Sequence, residues 1–306
     1  MKIGILGGTF DPLHDGHTTL ADSALKSGLI DEIRVVPAGI PPHKRNEFIS
    51  MAGYRYEMAW RAFSGQKHIF VSDLEIVRPG PSYTLDTARQ FKKKQPDDEW
   101  FLIFGSDILK DIERWHQPEA LLSEFPLLLA DRGGIADSES RKLASELTKR
   151  FGARIHFFDM PSIDLSSTMI RRLAASGEPI DAYVPEAVAR VIEKNGLYRW
   201  HDEMESLDPM LWEELRLLEQ RLWRLLKRKR LLHSLNVLMY GLHLALRHQV
   251  EAPKTALAAL LHDCAKCLPE KHQLVLARKA NDPALLDLSL AHGPAGAVLA
   301  KERFGV

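Results

Sequence analysis

The stretch Gly7-Gly8-Thr9-Phe10-Asp11-Pro12-Leu13-His14-Asp15-Gly16-His17 follows the apolar run Ile3–Leu6 and leads into the helically spaced run from His17 to Ser27. A strand, a glycine-rich turn and a helix in that order form the unit on which α/β proteins bind phosphates. Gly7 and Gly8 let main chain approach a ligand closely. The start of the helix offers unpaired N–H groups and the positive end of its dipole. His14 and His17, three residues apart, can face one phosphate. The turn lacks the lysine of a Walker loop, which disfavours a P-loop NTPase.

Five further apolar runs follow: Ile33–Val36, Ile69–Val71, Phe101–Phe104, Leu127–Ala130 and Ile155–Phe158. Helical patterns separate them at Tyr54–Ser64, Leu85–Lys94 and Asp137–Phe151, and a last one covers Ile180–Gly196. Continuous apolar strands alternating with helices predict a parallel sheet covered on both faces. After Trp200 the pattern changes. Residues 201–210 are acidic and turn-rich and are expected to form a linker. From Leu211 on, helical spacing dominates: Leu211–Met239, Thr255–His262 and Pro283–Leu299. The chain of 306 residues therefore divides into an α/β domain over 1–200 and an all-α domain over 211–306.

Composition excludes several classes. Lys+Arg and Asp+Glu are both 41. The part up to Trp200 holds 26 basic and 28 acidic residues, and the remainder 15 and 13, so neither has the basic excess of a nucleic-acid binder. Two cysteines, Cys264 and Cys267, make no disulfide framework. No apolar run is long enough to span a membrane, and the opening residues do not read as a signal peptide, so a cytoplasmic protein is expected. The run Lys227-Arg228-Lys229-Arg230 points around most of a helix and reads first as a solvated face, second as an attractor of polyphosphate.

The His14-Asp15-Gly16-His17 segment resembles the His-x-Gly-His signature of the nucleotidylyltransferase superfamily, and its surroundings are similar to bacterial nicotinate-nucleotide adenylyltransferase. Pro41-Pro42-His43-Lys44, Ser82-Tyr83-Thr84-Leu85-Asp86-Thr87, Gly105-Ser106-Asp107 with Trp115, and Ser166-Ser167-Thr168-Met169-Ile170-Arg171 resemble that family's motifs in order, over residues 1 to about 199, ending at Gly196-Leu197-Tyr198. The resemblance implies a Rossmann-like, doubly wound parallel sheet. It also implies adenylyl transfer from ATP, with Mg²⁺, to nicotinate mononucleotide. It assigns catalysis to His14, His17, Lys44 and Arg171. Gly7, Gly8, Thr9, Phe10, His17, Gly105, Asp107, Ser167, Thr168 and Arg171 are assigned to ATP. Lys44, Tyr83, Thr84 and Trp115 go to the nicotinate nucleotide, with Trp115 stacking on the pyridine ring. Nicotinamide mononucleotide and phosphopantetheine are the alternative acceptors.

In the all-α part, His233, the pair His262-Asp263 and His292 form a second constellation, since adjacent His and Asp at a helix end can both reach a metal. The words Arg230-Leu231-Leu232-His233-Ser234, Leu260-Leu261-His262-Asp263-Cys264-Ala265-Lys266 and His292-Gly293-Pro294-Ala295-Gly296-Ala297 resemble the YqeK type of HD-domain hydrolase. That resemblance implies a metal site of His233, His262, Asp263 and His292, with iron as the metal and diadenosine tetraphosphate as the substrate. The family pattern continues with a further His and Asp ligand, so the domain is expected to be incomplete at its C-terminus, where the chain ends at Val306. The alternative for this half is a non-catalytic interaction module whose apolar surface favours a homo-oligomer. Cys264 and Cys267 lack a second cysteine pair and are expected to be incidental.

Overall fold

A computed structural model describes residues 1–42, 48–132, 138–280 and 290–306 of the chain. It separates into two compact units: Met1–Pro42 with Arg55–Arg199, and His43–Tyr54 with Trp200–Val306.

The first unit is built on a six-stranded sheet in the order β3-β2-β1-β4-β5-β6, every pair parallel. The strands are β1 (Lys2–Gly8), β2 (Glu32–Pro37), β3 (Ile69–Val71), β4 (Glu99–Gly105), β5 (Leu127–Arg132) and β6 (Ile155–Met160). Each predicted apolar run lies within one of them. Parallel strands need crossovers, here the helices α1 (Asp15–Lys26), α2 (Ala52–Phe63), α3 (Leu74–Val77), α4 (Thr84–Lys94), α5 (Pro118–Glu124) and α6 (Ser138–Phe151). α7 (Ser167–Ala175) and α8 (Glu186–Asn195) follow the last strand. On one face, Ile3, Ile5, Leu102, Leu127 and Leu129 pack with Leu85, Phe91, Leu121, Leu122 and Leu147 of the covering helices. The chain order reverses between β1 and β4, so the loops after these two strands open at the sheet's switch point. α8 starts only at Glu186, because Pro185 caps it, so the predicted helix from Ile180 is shorter than its apolar spacing suggested. Gly196 ends it at φ 58°, in the left-handed region glycine tolerates.

The second unit is helical: α9 (His201–Glu205), α10 (Pro209–Trp223), α11 (Arg228–His248), α12 (Ala252–Leu261), α13 (Glu270–Arg278) and α14 (His292–Leu299). Residues 201–210 are not the turn-rich linker expected. They hold α9 and the first turn of α10, because Met204 is fully buried, its carbonyl accepts the Trp212 indole N–H at 3.0 Å, and Glu203 meets His243 at 2.6 Å. The apolar pattern from Leu211 to Met239 is broken at residues 224–227, where Lys227 turns to extended backbone and caps α11. The same unit holds the start of α2: Glu219 of α10, buried, accepts the N–H groups of Ala52 (2.9 Å) and Gly53 (2.7 Å). Tyr54 Oη donates to Asn236 Oδ1 of α11 at 2.7 Å. No helix among the described residues is long and apolar enough to cross a membrane.

Candidate active site and metal cluster

The loop between β1 and α1 is shaped by bonds to its own carbonyls. Ala38 N–H donates to the Gly8 carbonyl (2.9 Å), Arg55 Nη1 to Thr9 (2.9 Å), Arg171 Nη1 to Asp11 (2.8 Å) and Ser167 Oγ to Pro12 (3.0 Å). In a trans peptide the N–H points opposite to the carbonyl before it. These bonds therefore turn the N–H groups of Thr9, Phe10 and Leu13 away from the side chains that hold the loop, an arrangement suited to anions. Phe10 takes a left-handed φ of 52°, which completes the turn. A Cβ at Gly8 would lie 2.8 Å from the Phe10 ring, whereas at Gly7 it would meet nothing within 4 Å. Gly8 is thus required by packing, and Gly7 leaves open space beside the loop.

His14 caps α1 and is buried, and His17 stands one turn on. Their ring centroids are 3.8 Å apart. The His14 N–H donates to His17 Nδ1 at 3.2 Å. A ring nitrogen that accepts carries no proton, so this bond favours the His17 tautomer with its proton on Nε2. Buried Asp11 accepts from Tyr198 Oη at 2.8 Å, which ties the loop to the chain beyond α8. Burial pushes the Asp15 carboxyl above the ordinary carboxylate value.

At the start of α7 the cap is Ser166, which accepts from Met169 N–H at 3.2 Å, and not Ser167. Ser167 is freed for Pro12. The Arg171 guanidinium, assigned to ATP by the family resemblance, points into this loop. Its immediate partners are the Asp11 carbonyl and Thr168 Oγ1 (3.3 Å), so its first task is to hold the loop. At the other end of the switch point, Gly105 closes β4 and exposed Asp107 lies in the short helical turn after it. Trp115 is half-buried, edge-on to Phe104 with centroids 5.4 Å apart. Tyr83 precedes α4 and stacks on His116 at 4.1 Å. Thr84 begins α4, whose N-terminal end has no side-chain cap. Lys44 lies outside the described residues.

The second cluster is assembled from two helices and the end of a third. His233 of α11, His262 after α12 and Asp263 bring one ligand atom each to within 4.8 Å of one another. His292 Nε2 of α14 is 3.7 Å from the other Asp263 oxygen. His262 Nδ1 donates to the Ala259 carbonyl at 2.8 Å, which fixes the ring with Nε2 3.5 Å from Asp263 Oδ2. Two imidazoles and a carboxylate, with His292 beside the second carboxylate oxygen, are residue types that ligate first-row transition metals. Two cations adjoin it: Arg230 Nη1 is 2.7 Å from Asp263 Oδ2, and Lys266 Nζ is 3.0 Å from His292 Nδ1. Arg230 thus belongs to the cluster, while Lys227 and Lys229 of the same basic run are solvent-exposed. Cys264 is buried with its thiol pushed up to about 11, and Sγ lies 3.5 Å from the Gly296 carbonyl, so it packs as a neutral thiol.

Arg55 and Tyr198 are the site residues that sequence reading missed. The one signal for Tyr198 was its place in the closing Gly-Leu-Tyr word.

Comparison with known proteins places the chain in a family. Residues 5–173 match the cytidylyltransferase-like family model and residues 230–306 that of the HD domain. A "Probable nicotinate-nucleotide adenylyltransferase" of Desulfitobacterium hafniense is 39% identical over 198 residues, covering 65% of this chain and 96% of the relative. A Clostridium tetani protein of the same name is 36% identical over 65% of this chain and 99% of its own. The fold matches that of Plasmodium falciparum nicotinic acid mononucleotide adenylyltransferase, solved with APC and with NaAD, at TM-scores of 0.52 and 0.53, 23% identity, and 65% and 97% coverage of the two chains. Nucleotidyltransferases generally use Mg²⁺ and HD domains bind divalent metals. The chain therefore belongs to the nicotinate-nucleotide adenylyltransferase family and carries an HD domain at its C-terminal end.

Proposed function

We propose that this enzyme joins ATP and nicotinate mononucleotide into nicotinate adenine dinucleotide. A phosphate oxygen of the mononucleotide attacks the α-phosphorus of ATP, the bond to the β-phosphate oxygen breaks, and pyrophosphate leaves. The attacking phosphate is already ionised, so no general base is needed. Catalysis then rests on positioning and on neutralising charge. Mg²⁺, entering with ATP, supplies part of that neutralisation. His14 and His17 face the triphosphate, Lys44 holds a phosphate, and the start of α7 with Thr168 and Arg171 borders the ATP side together with Gly105 and Asp107. Thr84 at the uncapped start of α4 takes the nicotinate carboxylate beside Tyr83, with Trp115 against the ring. In this reading 1–200 is the adenylyltransferase domain and 211–306 the HD-type domain, with 201–210 between them.

The observation that carries the reading is His17, held by the His14 N–H in a way that favours an Nε2–H donor beside a loop whose carbonyls are engaged elsewhere. The test is dinucleotide formation from ATP with nicotinate or nicotinamide mononucleotide, resolved by chromatography. The acid is expected to be the better substrate. Equal or faster turnover of the amide overturns the assigned acceptor.

A second reading concerns the helical unit. His233, His262, Asp263 and His292 hold a divalent metal, iron by the family resemblance, and the substrate class is a dinucleoside polyphosphate such as diadenosine tetraphosphate. The fixed ring of His262 supports it. Elemental analysis of anaerobically purified protein tests it. About one or two metal atoms per chain supports the reading, and none refutes it.

A further inference from the structure

Arg55, in the first turn of α2, is 1% exposed. A guanidinium is rarely buried so completely without specific partners. Two of its partners are main chain: the Thr9 carbonyl at 2.9 Å and the Gly39 carbonyl at 3.1 Å. These carbonyls belong to different loops, one leaving β1 and one leaving β2. On the far side of Gly39, its own N–H and that of Ile40 donate to Ser82 Oγ, at 2.9 and 3.3 Å. Glu75, buried, lies close enough to Arg55 to feel its charge and accepts the Thr87 hydroxyl at 2.5 Å. Ser82 and Thr87 flank the start of α4. One buried network therefore joins the β1 loop to the start of α4 through Arg55.

Gly39 shows how closely this junction is packed, since a Cβ there would lie 2.4 Å from the Glu75 carbonyl oxygen. The two ends of the network are the places assigned above to ATP and to the nicotinate nucleotide. Arg55 holds the first through the Thr9 carbonyl and reaches the second through Gly39 and Ser82. It is also poorly replaced: a lysine ammonium is a single point charge and cannot span two carbonyls as a planar fork does.

We infer that Arg55 is a positioning residue for adenylyl transfer, setting the distance and angle between the phosphate loop and the start of α4 so that the two substrates meet in line. The inference rests on the adenylyl-transfer reading above. A group of this kind contributes to the reaction geometry more than to the affinity for either substrate.

The test uses the full chain and two variants, Arg55→Lys and Ser82→Ala. For Arg55→Lys, kcat is expected to fall about 10- to 100-fold while KM for ATP stays within about threefold. Ser82→Ala, which removes one acceptor of the same network, is expected to lower kcat about 3- to 10-fold. If Arg55→Lys fails to fold by circular dichroism, Ser82→Ala alone decides. A kcat within twofold of wild type in every folded variant, or a loss carried by KM alone, overturns the inference. Wild-type turnover is measured first. If nicotinate mononucleotide is not used, the proposed acceptor is wrong, and the variants are compared on whichever of nicotinamide mononucleotide or phosphopantetheine is adenylylated. A wild type that adenylylates none of the three overturns both proposals.

Discussion

The two clusters use opposite means of binding. The loop at 7–17 presents main-chain N–H groups and two imidazoles within eleven consecutive residues, and side chains from distant elements work behind it, pulling on its carbonyls. The cluster around Asp263 presents side chains only, from positions 233, 262, 263 and 292, and the main chain contributes one carbonyl that orients His262. Where main chain binds, the residues that matter include some that never meet a ligand. Where side chains form the cluster, the residues that matter are the ones that meet in it, and buried Asp263 is also held to Arg230.

The contrast is broken most directly at His17. Replacing it by alanine removes a donor and leaves the loop carbonyls held, so turnover is expected to drop about 10²- to 10³-fold. The same change leaves the His14 N–H without this acceptor and removes the ring edge-on to Phe10, so the thermal midpoint should also fall, by about a few degrees. Steady-state kinetics and a thermal melt check both. Turnover within tenfold of wild type would remove His17 from the machinery.

At the other cluster, His262→Ala is expected to cost the metal at least about 100-fold in affinity, since a ligand should count for no less than the outer groups that orient one. Elemental analysis reads this as a loss of bound metal. Adenylyl transfer by the same variant should stay within twofold. A parallel loss of dinucleotide synthesis would mean that the two clusters are not the separate devices described here.

How far each cluster could be read in advance follows from this difference. All six strands were legible because a buried parallel strand is a continuous apolar run, and Ile3–Leu6 or Leu127–Ala130 allows little else. The His17 helix and the His262-Asp263 pair were legible because their chemistry is local. Arg55 was not. In sequence it is one cation in the helical pattern Tyr54–Ser64, and only the fold brings Thr9 and Gly39 to it. Ser166 and Ser167 are adjacent hydroxyls with different tasks, and which one caps α7 depends on where Pro12 lies. Residues 201–210 read as a linker because their acidic character suggests solvent, while Met204 and the partner of Glu203, His243, decide otherwise.

Glu219 belongs with these hidden residues, an acid in a leucine-rich helix that turns out to cap the start of α2. Glu219→Ala leaves the N–H groups of Ala52 and Gly53 without this acceptor, and each buried donor so exposed costs about 1–3 kcal/mol. A destabilisation of about 2–4 kcal/mol is expected, read as a lower denaturant midpoint by tryptophan fluorescence. Glu219→Gln, which keeps one carbonyl acceptor, should recover part of it. Equal effects of the two changes would show that shape and not hydrogen bonding holds this helix start.

The smallest expected effect separates stability from geometry behind the phosphate loop. Burial raises the Glu75 carboxyl above the ordinary glutamate value, opposed in part by the Thr87 hydroxyl and by the charges of Arg78 and Arg55. A carboxyl whose folded pKa is raised binds its proton more tightly in the native state. Its contribution to stability is therefore present in acid and lost as pH rises through the raised value. Glu75→Gln stays neutral at every pH and keeps a carbonyl oxygen for Thr87. The thermal midpoints of variant and wild type should be close below the ordinary glutamate value of 4.5, and the variant should lead by about a few degrees above the raised one. A difference independent of pH would mean that the ionised carboxylate costs the fold nothing. If the variant is more stable at neutral pH and yet slower, the buried charge beside Arg55 is retained for the geometry of the two loops rather than for the stability of the sheet beneath them.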